Sequence, residues 1–212
     1  LSNASTAGYK ADREFYNLWS ERLPVIESNW TDFSQGLLAE TRNPLDLALQ
    51  GRGFFAADSP AGPLFTRSGN FHVSRAGVLE TAEGYTVRAV GGDRKMRIPA
   101  GRENDVTIDA DGSVRLDGGV VGRLDLADFS QRESIAKHGG NYFRLVDPKA
   151  TIGRAAGAEV HQGRLENSNV APGESAVRLV SVMRQFEMLQ RALALGGEMN
   201  RRAVEEVAKV SG

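Results

Sequence analysis

The chain has 212 residues, of which 41% are hydrophobic, and its 26 Lys and Arg nearly cancel its 27 Asp and Glu. That balance excludes the strong basic field of a nucleic-acid or membrane-surface binder, and no apolar run approaches the roughly 20 residues of a membrane span. Cysteine is absent, so disulfide and thiolate chemistry are excluded as well.

Residues 1–10 are small and polar and read as loop or extended chain. From Asp12 to Leu23 the pattern predicts a short helix, with Asp12 as its cap, Phe15 and Trp19 on one face and Pro24 as its stop. This stretch and the next hold Phe15, Tyr16, Trp19, Trp30 and Phe33. Such a cluster either plugs a small core or docks on a neighbouring protein.

From about Pro44 to Arg164 short apolar runs alternate with turn residues, the texture of a sandwich- or barrel-like domain of short antiparallel strands. Phe71-His72-Val73 and Val78-Leu79-Glu80 flank Ala76-Gly77, and Tyr85-Thr86-Val87 follows Gly84. Val106-Thr107-Ile108 and Val114-Arg115-Leu116 flank Asp109-Ala110-Asp111-Gly112, a hairpin turn. Asp117-Gly118-Gly119 then turns the chain into Val120-Val121 and Leu124-Asp125-Leu126.

A long helix is predicted from about Gly173 to Val210, with Pro172 just inside its start, where the missing N–H is harmless. Leu179, Val182, Phe186, Leu189, Leu193, Gly196, Asn200, Ala203, Val207 and Val210 recur at spacings of three and four, the seam a helix offers to helical neighbours. Met183 and Val204 widen the stripe, while Arg184, Arg191, Glu198 and Glu205 form one narrow charged ridge. A helix this apolar is normally buried, yet no second long helical pattern exists in the chain to bury it. The candidate assembly interface is therefore Leu179, Val182, Met183, Phe186, Leu189, Leu193, Asn200, Val204 and Val207. Gly196-Gly197 interrupts the pattern at roughly 1 kcal/mol per glycine, permitting a close crossing, a bend, or fraying of the helix beyond that point. The division expected is a connector at 1–34, a β domain at 35–168 and an assembly helix at 169–212.

No chemistry emerges. His72, His138 and His161 are scattered without metal spacing, and Asp109–Gly112 lacks the closing Glu of a calcium loop. Gly51-Arg52-Gly53 lacks the third glycine of a dinucleotide loop, and no serine sits in a nucleophile elbow. No catalytic residue, metal ligand, cofactor or small-molecule site is assigned. Asn29-Trp30-Thr31 formally fits a glycosylation sequon, a weak signal.

Residues 32–55, DFSQGLLAETRNPLDLALQGRGFF, resemble the signature of bacterial flagellar rod and hook proteins: Ser-Gln-Gly, then Asn-Pro-Leu-Asp-Leu-Ala, then Gly-x-Gly-Phe-Phe. FTRSGNFHVSRAGVLETAEGYTV at 65–87 and QGRLENSNVAPGESAVRLVSVMRQFEMLQ at 162–190 resemble further blocks of the same family, as do IPAGRENDVTIDADGSV and VVGRLDLADF. Leu1–Lys10 resembles the family's Leu-Ala-Asn-x-x-Thr-x-Gly-Phe-Lys element, which makes Ser2-Asn3-Ala4 native sequence rather than a tag scar. The resemblance implies a structural subunit of the flagellar basal-body rod, partnered by copies of itself and other rod proteins. It further implies a periplasmic location and export without a cleaved signal peptide. In this family an N-terminal helix precedes the first element and pairs with the C-terminal one, which would account for the orphan stripe. Arg184-Gln185-Phe186-Glu187-Met188 resembles the proximal-rod subgroup, whereas the distal-rod type tends to have Ala-Tyr-Glu there. The tail from Glu198 departs from both. A soluble β-domain module that dimerises through its helix is the rival reading.

Overall fold

The computed structural model describes residues 2–17 and 25–210, and the side chains of 2–12, 30–131 and 133–202. The chain falls into two compact units, Ser2–Val170 and Ala171–Gly212. The first is built of short, mostly antiparallel strands and the second of one long helix, so the fold class is mainly β with a C-terminal helix.

Among the described residues the largest sheet has nine strands. Its path runs Ile135–Lys137, Tyr142–Leu145, Gly62–Thr66, Phe54–Ser59, Thr86–Val87, Leu79–Thr81, Phe71–Val73. Leu126–Phe129 branches from it, pairing with both Phe54–Ser59 and Ile152–Arg154. A three-stranded meander, Val106–Ile108, Ser113–Leu116 and Gly119–Arg123, carries the Asp109–Gly112 turn expected from the sequence. Two further ladders tie the late part of the chain to the early part: Leu47–Gln50 with Glu159–Gln162, and Leu38–Glu40 with Arg164–Glu166.

The central strand Phe54–Ser59 is buried on both faces. Successive side chains of a strand point to opposite sides, so Phe54 and Ala56 enter one apolar cluster while Phe55 enters the other. Leu126 and Ala127 divide in the same way. Phe55 meets Phe71 edge-to-face at 5.1 Å, and Phe65 meets Phe129 at 4.8 Å. Such pairs add about 0.5–1.5 kcal/mol beyond area burial. Phe33 packs against Phe54 and Phe143, which makes it a core residue. Trp30, by contrast, is 43% exposed.

The helix expected from Asp12 is a strand instead. Asp12–Asn17 pairs antiparallel with Val25–Thr31, with a bulge between Phe15 and Tyr16. The run DREFYN carries two aromatics that suit a strand, and VIESNWT brings the β-branched Val25, Ile26 and Thr31 to the strand it pairs with. That partnering outweighs the weak helical spacing of Phe15 and Trp19; Trp19 itself lies outside the described residues.

The helix spans Pro172–Val210, 39 residues and about 58 Å at 1.5 Å per residue. Pro172 opens it and Glu174 lies in its first turn, where an acid complements the helix dipole. It continues through Gly196-Gly197 without a break, so of the alternatives that the glycine pair left open, fraying beyond Gly196 does not occur. Strong helix formers on both sides, Ala192–Leu195 and Glu198-Met199, carry it across. A Cβ added at either glycine would meet nothing within 4 Å.

Candidate functional site

Two features concentrate the unusual chemistry: an apolar helix surface and a buried cluster of charges.

All nine sequence-predicted interface residues lie on the helix. Spacings of three and four residues place Leu179, Val182, Met183, Phe186, Leu189 and Leu193 along one side. Each is exposed, from 51% at Leu179 to 76% at Leu193, with Phe186 at 61%. Asn200 is exposed too. Val204 and Val207 continue the helix, but their side chains lie outside the described ones. Val180, Met188, Leu195 and Met199 are exposed on other sides. Scattered exposed apolar residues are ordinary, whereas a contiguous run of this length marks an interaction surface.

The charge cluster was not anticipated from the sequence. Glu166, at the end of Arg164–Glu166, is fully buried, and Lys10 is 2% exposed. Lys10 Nζ donates to Glu166 Oε1 at 2.6 Å, and Arg67 Nε donates to Glu166 Oε2 at 2.8 Å. The Gly36 amide adds a third bond to Oε1 at 2.9 Å. Backbone carbonyls take further donors of the cluster. Lys10 Nζ reaches the Ser34 carbonyl at 2.6 Å, while the Arg67 guanidinium reaches the carbonyls of Leu49, Gly51 and Gly53 at 2.8–3.0 Å. Burial pushes the Lys10 ammonium below its ordinary value, and the Glu166 carboxylate partly restores it. A buried charge is tolerated only when paired and hydrogen-bonded in this way.

The sequence motifs are the walls of this cluster. In Ser34-Gln35-Gly36, the serine carbonyl accepts from Lys10, and Gln35 links the Leu49 carbonyl to the Gly51 amide. A Cβ on Gly36 would sit 2.0 Å from the Asn167 carbonyl oxygen, so only glycine fits. In Asn43-Pro44-Leu45-Asp46-Leu47-Ala48, Asn43 caps its own turn through the Leu45 amide and Asp46, and Leu47 and Ala48 enter the core. Gly51-Arg52-Gly53 is a loop whose Gly51 and Gly53 carbonyls hold Arg67. Gly8 adopts φ +67°, and a Cβ there would lie 2.3 Å from the Ser68 amide nitrogen.

Around Glu166 the two ends of the β unit run together. The Gly8 amide donates to the Glu166 carbonyl at 2.6 Å. Asn169 accepts from the Ala11 amide through Oδ1 and donates through Nδ2 to the Asp32 carbonyl, each at 2.7 Å. The signal that could have found the cluster is composition within motifs: a lone Lys, Arg or Glu beside glycine-rich, buried elements.

The remaining candidates are ordinary. His161 Nε2 hydrogen-bonds Gln50 Oε1 at 2.8 Å, and His72 lies 4.0 Å from Glu80 at the surface. Asp111 closes its turn by accepting from the Ser113 amide, which holds its carboxyl below the usual range. Among the described residues no group of three acidic, His or Cys side chains could hold a metal, and no helix is long and apolar enough to cross a membrane.

Comparison with known proteins bears on both features. The flagellar hook protein FlgE/F/G D1 domain family matches residues 48–116, and the flagellar basal body rod FlgEFG protein C-terminal family matches 161–206. The flagellar basal-body rod protein FlgF of Caulobacter vibrioides is 33% identical over 85% of this chain and 72% of its own length. The chain belongs to the flagellar basal-body rod protein family. FlgF of Mesorhizobium japonicum is 32% identical over 88% of the chain and 80% of its length. FlgG of Caulobacter vibrioides is 31% identical over 78% of the chain and 65% of its length. The relatives thus favour the FlgF branch of the rod family, and the chain is a structural rod subunit of the flagellum. The second family match spans both Glu166 and the exposed helix ridge up to Asn200.

Proposed function

We propose that this rod subunit is joined to its neighbours through its C-terminal helix and transmits torque through the periplasm. In this reading Leu179, Val182, Met183, Phe186, Leu189, Leu193, Asn200, Val204 and Val207 meet helices of other subunits, both copies of this chain and other rod proteins. Residues 1–34 act as a connector, 35–168 as the body and 169–212 as the assembly helix. Contacts are heterologous, so they propagate along an axis instead of closing. The subunit takes the proximal position, reaches the periplasm without a cleaved signal peptide, and uses no cofactor, nucleic acid or small-molecule substrate.

The observation that carries this reading is the run of exposed apolar side chains from Leu179 to Leu193 on a 39-residue helix. Burying one such side chain is worth about 1.5–3 kcal/mol. Six of them along one side supply an association energy that water leaves unused. Sedimentation velocity over a range of concentrations tests it. Mixing with other rod proteins should give open-ended, growing species. A closed dimer that excludes rod proteins would instead support the dimerising module.

A further inference from the structure

We propose that Glu166, with Lys10 and Arg67, is a positioning clasp: it holds the segments Ser2–Ala11 and Arg164–Val170 in one register side by side, and register is its contribution, not stability. The proposal rests on the rod reading above for its consequence in the cell, but its geometry stands alone.

Three observations carry it. The first is that a single carboxylate serves two cations that come from distant parts of the chain, 156 and 99 residues away from it. Glu166 ends the strand Arg164–Glu166, where successive side chains alternate faces, so a slip of one residue there turns its carboxylate to the wrong side. Two buried cations would then face no anion, and that alternative register is strongly penalised. The second is steric. Gly8 and Gly36 sit where a Cβ would lie 2.3 Å and 2.0 Å from backbone atoms. A slip would bring Ala7, Tyr9, Gln35 or Leu37 into those places. The third is that the backbone is tied at the same points. Gly8 N–H donates to the Glu166 carbonyl at 2.6 Å, Asn169 N–H to the Tyr9 carbonyl at 3.3 Å, and Asn167 N–H to the Leu37 carbonyl at 2.8 Å.

Buried ion clusters seldom add net stability over apolar residues of similar volume, because desolvation offsets the attraction; their best attested use is to specify one arrangement among several. Here the arrangement specified is the pairing of the two ends of the β unit, Ser2–Ala11 with Arg164–Val170.

The test compares three versions of the 212-residue chain: unchanged, Glu166→Ala, and the apolar triple Lys10→Met, Arg67→Met, Glu166→Met. Glu166→Ala leaves two buried cations unpaired, and its melting temperature should fall by about 10 °C. The triple variant removes the unpaired charges but leaves the carbonyls of Ser34, Gly51 and Gly53 without these donors, so it should melt between Glu166→Ala and the unchanged chain. Amide resonances of Gly8 and Gly36 should be single in the unchanged chain and doubled or broadened in the triple, with faster proteolysis between Ser2 and Ala11. A triple variant with recovered melting and single, unshifted resonances would overturn the register role. A triple that melts as low as Glu166→Ala, or does not fold, would show that the cluster acts through stability and would overturn it equally. None of these readouts depends on rod assembly, so failure of the assembly reading leaves them intact and is recognised separately.

Discussion

Leu49 and Leu189 are the same residue in the same chain, one without any exposure and the other mostly in water. The contrast runs through the two units as a whole. In Ser2–Val170, Leu, Val and Phe are divided between two clusters that the unit's own strands enclose. In the helix the same residue types, from Leu179 to Leu193, are exposed. Local preference is satisfied in both, since the strands pair and the helix is continuous. What differs is where the hydrophobic contacts are completed. The β unit completes its own within its strands, while the helix leaves them open, which is why we propose that it serves assembly.

The sharpest way to break this comparison is to truncate matched side chains on the two sides. Phe55 is fully buried and meets Phe71 edge-to-face. Phe55→Ala should cost about 3–5 kcal/mol, which for a chain of this size lowers the melting temperature by roughly 6–20 °C. A shift of a degree or two in a thermal melt would mean that the β core is not the self-sufficient unit described.

A smaller effect separates the clasp from ordinary surface charge. The Lys10 ammonium is held below its usual value of 10.5 by burial, against the opposing pull of Glu166. Between that depressed value and 10.5 the folded chain therefore binds fewer protons than the unfolded one, so this group's contribution to stability rises with pH across that window. Lys10→Met removes the contribution. The difference in melting temperature, unchanged chain minus Lys10→Met, should move in favour of the unchanged chain as the pH is raised toward 10.5. A difference flat in pH would show that the ammonium is solvated.

The elements that the sequence disclosed are those whose signals are local. Asp109 with Gly112 marked a hairpin, and spacing alone marked the helix with its exposed seam. Asp12–Asn17 was misread because its partner, Val25–Thr31, lies beyond a segment whose helical spacing looked complete by itself. Pairing is a relation between two stretches, and one stretch alone does not display it. The clasp was hidden for the same reason on a larger scale. Lys10, Arg67 and Glu166 each look like solvated charges, and nothing in a linear reading brings the first two within 2.8 Å of the third. The family motifs were visible as words, but their sense is geometric: Gly36 clears a path for Asn167, and Gly51 and Gly53 turn their carbonyls to Arg67.

The central claim is that the helix serves assembly and not folding, and Phe186 tests it most directly. It is the only aromatic of the ridge and is 61% exposed. Phe186→Ala should change the melting temperature of the isolated chain by little, since exposed substitutions usually stay within about 0.5 kcal/mol. Cells carrying it should fail to build the rod and to swim, because every copy in the axis loses the same buried contact. Arg191→Ala, on the charged ridge, should leave both properties near their starting values. Normal swimming with Phe186→Ala, or a melting temperature that falls as far as that of Phe55→Ala, would contradict the account.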